Sequence, residues 1–323
     1  MRVVRFHEYG PPDVLRVDEA PDPRPGSGEM LIRVTAAGIG FADVRIRAGL
    51  MRTALPDLPL PFAPGFEVAG TVVAVGAGVD ARTVGRQVVG TTSGGGYAEL
   101  AILPAASAVP LPDALDDRMA VALLGQGATA VGVAEAAGLT SADTVLVEAA
   151  AGGVGSLLVQ LAKHAGATVV AAARGETKLA VAKQLGADVV IDYSTPDWPR
   201  RVRDAVGGSV SVVLESTGGA ISEAAFDLLA PAVGRMVIYG TTSGQPPRFD
   251  PLAVYHRAVS VTGFAAVALP AQQLARLRDQ AFALAESDEL RPIIGTVLPL
   301  AQARAAHQAF EDRAAVGKTV LTP

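Results

Sequence analysis

A chain of 323 residues, half of them hydrophobic and 18% charged, has enough apolar side chain for two buried cores and excludes extended disorder. Its 27 Lys and Arg against 32 Asp and Glu give a net charge of -5 with no basic block, so nucleic acid is not an expected partner. Cysteine is absent, which removes disulfides, thiol catalysis and thiolate metal ligands and fits a reducing, cytoplasmic setting.

The N-terminus MRVVRFHEYG has no apolar signal core. The longest uncharged runs, Met119 to Ala134 and Ala258 to Ala275, are interrupted by Gly, Gln or Pro, so no membrane partner is expected. Met30 to Gly38, Glu67 to Val79 and Arg86 to Thr92 are β-branched runs bounded by Gly and Pro and read as strands. Proline-rich loops separate them, at Pro21 to Gly28 and Leu55 to Gly65. From about Asp143 the rhythm becomes strand, helix, strand, helix. Strands are expected at Thr144 to Ala149, Thr168 to Ala173, Val189 to Asp192, Ser211 to Ser216, Arg235 to Gly240 and Ser260 to Phe264, with helices at Val154 to His164 and around Lys178 to Leu185. Near-continuous apolar strands at this spacing predict a doubly wound parallel sheet. After Pro270 a helix (Ala271 to Ser287), a strand (Thr296 to Leu300), a helix (Ala301 to Arg313) and a last strand (Lys318 to Leu321) close the chain.

The strongest chemical signal is VLVEAAAGGVGSLLVQLAKHAGATVVAAAR, from Val145 to Arg174. A strand enters a glycine-rich turn that opens a helix, and a second strand follows. The dinucleotide fingerprint G-x-G-x-x-G falls on Ala150, Gly152 and Gly155, with Ala in the first place. Gly152 lets backbone approach a pyrophosphate, Gly155 lets the helix lie close on the strand, and the helix N-terminus offers unpaired N–H groups to phosphate. At the end of the second strand, where NAD enzymes place an acid for the ribose hydroxyls, stand Arg174 and, one helical turn on, Lys178. Positive charge there predicts NADPH, with the nearby Glu176 as the one contrary feature.

These stretches, together with PPDVLRV, AAGIGFADVRIRAGL, PFAPGFEVAGTVVAVGAGV, GGGYAEL, QGATA, LGADVVIDY and the closing GKTVL, resemble in order the zinc-free quinone oxidoreductase (zeta-crystallin type) branch of the medium-chain dehydrogenase/reductase superfamily. The resemblance implies an α/β chain with a GroES-like β-rich catalytic domain (1–122 and 267–323) and a doubly wound Rossmann NADPH-binding domain (123–266). By position it carries cofactor contacts to Thr129 near the nicotinamide, to Gly152, Gly153, Val154 and Gly155 at the pyrophosphate, and to Arg174, Lys178 and Tyr193 around the adenosine phosphate. Thr217, Tyr239, Gly240 and Thr241 would line the nicotinamide side, with Phe264 and Lys318 as weaker candidates. For Tyr239 and Phe264 a place as core aromatics is an equal alternative.

Zinc-dependent relatives place metal ligands where this chain has Gly40, Phe66 and Gly125 or Gln126, so no metal is expected, and His7, His164, His256 and His307 are scattered singly. Zinc-free members often carry a Tyr and an Asn where this chain has Met51 and Gly40. The implied substrate pocket, formed by Gly40, Phe41, Met51, Phe66 and Gln126, is therefore apolar, and no side chain stands out as an obligatory acid. Asp43 reads as a structural tether. The implied activity is hydride transfer from NADPH to a quinone or an enone. The alternative is a nucleotide-binding protein with a structural or interaction role and little turnover. A homodimer pairing through Ser260 to Phe264 is also implied.

Overall fold

A computed structural model describes residues 1–323, and its contacts divide the chain into two units, Met1–Gly125 with Ile293–Pro323, and Gln126–Pro292. In the first 125 residues the elements are β1 (Arg2–Phe6), β2 (Leu15–Glu19), β3 (Glu29–Ile39), α1 (Phe41–Arg47), β4 (Glu67–Val75), β5 (Gln87–Thr91), β6 (Leu100–Pro104), β7 (Val109–Pro110) and α2 (Asp117–Leu124). The long strand β3 pairs antiparallel with both β4 and β6, and most of its residues are buried on either face. Phe6, Ile32, Ile39, Val68, Tyr97 and Leu103 meet in the core beneath it.

The second unit contains α3 (Gln126–Ala137), β8 (Thr144–Val147), α4 (Gly153–His164), β9 (Thr168–Ala173), α5 (Glu176–Gln184), β10 (Val189–Asp192), α6 (Trp198–Val206), β11 (Val212–Glu215), α7 (Gly219–Asp227), β12 (Arg235–Ile238), α8 (Pro251–Arg257), β13 (Ser260–Gly263) and α9 (Ala271–Glu286). Its sheet is parallel throughout, in the order β10-β9-β8-β11-β12-β13. This is the doubly wound arrangement, and the order reverses between β8 and β11, the switch point at which such sheets bind ligands. Val145, Leu146 and Val147 are wholly buried, as expected of a strand covered on both faces.

The chain closes with β14 (Ile294–Pro299), α10 (Ala303–Glu311) and β15 (Lys318–Thr322). β15 pairs antiparallel with β3 and parallel with β14, so the tail completes the first unit's sheet. Both boundaries differ from the sequence expectation, the first by three residues, at Gly125, and the second by more. Residues 267–292, expected with the catalytic domain, fall in the second unit, because Leu277 and Ala281 of α9 pack on Ala128 and Val131 of α3. An amphipathic helix goes where its apolar stripe is covered.

Candidate active site

The glycine turn sits between β8 and α4. Its left-handed residue is Ala149 (φ 46°), whereas Ala150, in the fingerprint's first position, is not left-handed and donates to the Ala172 carbonyl at 3.1 Å. Alanine is therefore tolerated in that first position. Gly155 has the strictest requirement, since a Cβ there would strike the Ala149 carbonyl oxygen. Gly152 caps α4, and Ser156 N–H donates back to its carbonyl at 2.9 Å. The N–H groups of Gly153, Val154 and Gly155 thus point from the helix end without intrahelical partners. A Cβ on Gly153 would meet the Gln126 side chain, so Gln126, expected in the substrate pocket, lies against this turn. Thr129 lies half-buried one turn further along α3.

At the end of β9, Arg174 is exposed and has no hydrogen-bond or ion-pair partner within the protein. Gly175 follows with φ 82° and caps α5, which carries Lys178 in its first turn, and Gly175 N–H donates to Asp192 Oδ2 at 3.0 Å. The acid at the end of β10 thus anchors the loop and leaves the guanidinium free. Tyr193 N–H donates to the Ala173 carbonyl at 3.3 Å, and its ring packs half-buried on the second unit's core. Positive potential and unpaired N–H groups at adjacent strand ends suit a phosphorylated dinucleotide.

The loops after β11 and β12 run together. Thr242 N–H donates to Ser216 O and Ser243 N–H to Thr217 O, both at 2.8 Å, and Tyr239 N–H donates to Glu215 O at 2.9 Å. Thr217, Tyr239, Gly240 and Thr241 are thereby brought to one edge of the sheet, next to the switch point. The Tyr239 hydroxyl is buried, which raises its pKa above the usual phenol value, and the Thr217 hydroxyl is buried without a partner.

Phe264 N–H donates to Ile238 O beside that edge, but its ring turns onto α3. A Cβ on Gly132 would collide with its ring, which packs with Leu269, Leu274 and Leu277 where α3 meets α9, so it is a core aromatic. Lys318 is likewise internal: it is 1% exposed, its stem covers Gly38, and its ammonium is paired with Glu67 inside the first unit. The Phe264 ring is engaged in the α3–α9 packing and the Lys318 ammonium with Glu67. Sequence reasoning also passed over Glu148 and Glu215, wholly buried at the ends of β8 and β11. The signal was present, as an acid closing an otherwise apolar strand twice over.

In the first unit Asp43 is the expected tether, accepting from Gly40 N–H and Gly65 N–H at 2.8 Å each. Burial raises its pKa to about 6. Phe41 opens α1 half-buried, and Phe66 rests on Phe62 with ring centroids 6.3 Å apart. Met51 lines a small cleft with Tyr9, Ile46, Arg52, Leu55 and Leu58, packed against the unit's own core. Gly40, Phe66 and Gly125 offer no metal-ligating side chain, and a Cβ on Gly125 would meet the Glu67 carboxylate. No group of three or more His, Asp or Glu side chains could hold a metal ion. No single helix is long and apolar enough to cross a membrane.

Comparison with known proteins agrees with this geometry. Residues 26–113 match the alcohol dehydrogenase GroES-like domain and residues 153–280 the zinc-binding dehydrogenase family. The chain is 33% identical to a quinone oxidoreductase of Pseudomonas aeruginosa over 99% of both chains, and 32% identical to a 2-haloacrylate reductase of a Burkholderia species over 98% of both. Among solved structures, an Escherichia coli quinone oxidoreductase complexed with NADPH superimposes with a TM-score of 0.90 at 30% identity, covering 100% of both chains. Full-length similarity at this level, with the glycine turn in place and no ligand residue at the metal positions, makes the chain a member of the zinc-free quinone oxidoreductase branch of the medium-chain dehydrogenase/reductase superfamily.

Proposed function

We propose that this chain is an NADPH-dependent reductase that transfers hydride to a quinone or to the β-carbon of an α,β-unsaturated carbonyl compound. The observation that carries the reading is the turn from β8 into α4, where Gly155 permits the close approach and three N–H groups remain unpaired, with Arg174 free at the end of the neighbouring strand. The quinone oxidoreductase and 2-haloacrylate reductase relatives support both acceptor classes, and the NADPH complex of the Escherichia coli protein supports the cofactor.

When bound, NADPH supplies the hydride from C4 of its nicotinamide ring. The N–H groups of Gly153, Val154 and Gly155 take the pyrophosphate, assisted by the helix dipole of α4. Arg174 and Lys178 take the 2′-phosphate. Thr129, Thr217, Tyr239, Gly240 and Thr241 orient the nicotinamide, and Tyr193 borders the adenosine end. Phe41, Met51 and Phe66 favour an apolar acceptor, which they sort by size at about 1 to 3 kcal/mol per methylene. Negative charge developing on the acceptor oxygen is met by backbone N–H groups or solvent, since no side-chain acid is offered to it.

We also infer a homodimer. β13 is the outermost strand of its sheet, its free edge carries the exposed Ser260 and Thr262, and Val267 just beyond is 97% exposed. Light scattering showing only monomer at micromolar concentration would remove this inference. The activity is tested by mixing the purified chain with NADPH and a panel of quinones and enones and following loss of nicotinamide absorbance. Turnover with members of one class is expected. Tight NADPH binding with no oxidation by any acceptor would instead favour a nucleotide-binding protein with little turnover.

A further inference from the structure

At the switch point of the second unit, two glutamates end neighbouring strands. Val147 of β8 pairs with Leu214 of β11, so the residues that follow, Glu148 and Glu215, lie side by side, and both are wholly buried. Backbone N–H groups reach one oxygen of each. Thr217 N–H is shared between Glu148 Oε2 at 3.2 Å and Glu215 Oε1 at 2.8 Å, and Gly218 N–H donates to the same Glu215 oxygen at 2.5 Å. Glu148 Oε1 and Glu215 Oε2 have no partner. Seven buried side-chain polar atoms in the protein lack one, and five of them belong to Glu148, Glu215, Thr217, Ser222 and Tyr239, so the unpaired polar atoms are concentrated in this one region.

Two carboxylates side by side in a buried place cannot both be charged. A single proton resolves the conflict, because one O–H can donate to the neighbouring carboxylate. We propose that Glu148 and Glu215 share one proton and are positioning residues for the cofactor, their carboxyl pair holding the Thr217–Gly218 turn in its NADPH-binding shape. The proposal rests on the reading of the chain as an NADPH-dependent enzyme. The turn transmits that position through Thr217 O, which accepts from Ser243 N–H, to the loop that carries Thr241.

Burial, and after it the Glu215 charge, pushes Glu148 up to about 8, and burial also raises Glu215. Around them, Tyr239 follows β12 with a hydroxyl that stays neutral throughout this range, α7 contributes Ser222, and β9 presents only Ala171, Ala172 and Ala173. Above pH 8 the shared proton is lost and two buried carboxylates face each other.

The test measures NADPH affinity from pH 7 to 9.5 in the unaltered chain and in Glu148→Gln, whose amide supplies the missing donor permanently. Starting at pH 7 stays clear of the 2′-phosphate, which titrates near about 6. In the unaltered chain the dissociation constant should rise about tenfold per pH unit above 8, in step with the loss of the competent form. In Glu148→Gln it should match the unaltered chain at pH 7 and then stay flat. Thermal melts without cofactor provide a second readout: the unaltered chain should lose stability from pH 5 to 8 relative to Glu148→Gln, because the folded state keeps a proton that the unfolded chain releases. NADPH binding with the same pH profile in both proteins overturns the proposal and leaves the function standing. Failure to bind NADPH at any pH overturns both.

Discussion

In the first unit Lys318 is buried against Glu67 and Arg47 against Glu311, whereas in the second unit Glu148 is buried against Glu215. A buried cation facing a less buried carboxylate is neutralised by its partner and depends on that partner being present. Two buried carboxyls are neutralised by a proton and depend on pH. The two ion pairs should therefore be sensitive to deletion of a side chain and the carboxyl pair to the solvent.

The largest effect should come from Lys318→Met. It leaves the Glu67 carboxylate without its partner, and breaking such a pair costs about 3 to 5 kcal/mol, measurable by denaturant unfolding. Glu148→Gln, at the corresponding place in the contrast, should cost little near pH 7. Equal small effects would dissolve the distinction. Gly155→Ala comes next. Its methyl group would drive α4 away from the Ala149 carbonyl, at about 1 to 3 kcal/mol of overpacking, with weakened NADPH binding read by titration. Unchanged stability and affinity would mean that the helix end can shift at no expense.

A smaller effect sharpens the comparison within the first unit. Asp43 is raised to about 6 by burial, and His307, which lies 3.2 Å from the Tyr97 hydroxyl, is lowered to about 3, again by burial. The folded state keeps the Asp43 proton that the unfolded chain releases, so this group subtracts stability as pH rises from about 4 to 6. The folded state refuses the His307 proton that the unfolded chain accepts, so this group subtracts stability as pH falls from about 6.5 to 3. Each slope is about 1.4 kcal/mol per pH unit, and between pH 4 and 6 they oppose. Asp43→Asn should lose stability toward acid and His307→Gln toward pH 6, in thermal melts across that window. Slopes of the same sign in both variants would contradict the opposition.

The two units also differ in how far they could be read from sequence. The parallel sheet, the α4 helix and the glycine turn were legible because apolar strands, a glycine spacing and a helix must coincide there for steric reasons, as Gly155 against Ala149 O illustrates. The fate of α9 was not legible, since the apolar stripe that docks on α3 could have docked on either unit. Phe264 and Lys318 look the same in sequence whether they face a ligand or the interior. Only the collision at Gly132 and the pairing with Glu67 separate these readings. Gln126 shows the same limit, since only the structure reveals that its side chain lies on Gly153. Glu148 and Glu215 stand 67 positions apart in sequence, and only the register of β8 with β11 makes them neighbours.

The central claim is that the β8–α4 turn and Arg174 hold NADPH, and titration of the unaltered chain and of Arg174→Ala with NADPH and NADH tests it most directly. One charge-assisted contact to the 2′-phosphate contributes roughly 1.5 to 3 kcal/mol, a preference of order 10 to 100 for NADPH. Arg174→Ala should lose most of that preference and bind NADH as before. Equal affinity for the two cofactors in the unaltered chain, or tighter binding of NADH, would contradict the claim and leave Arg174 as a solvated surface charge.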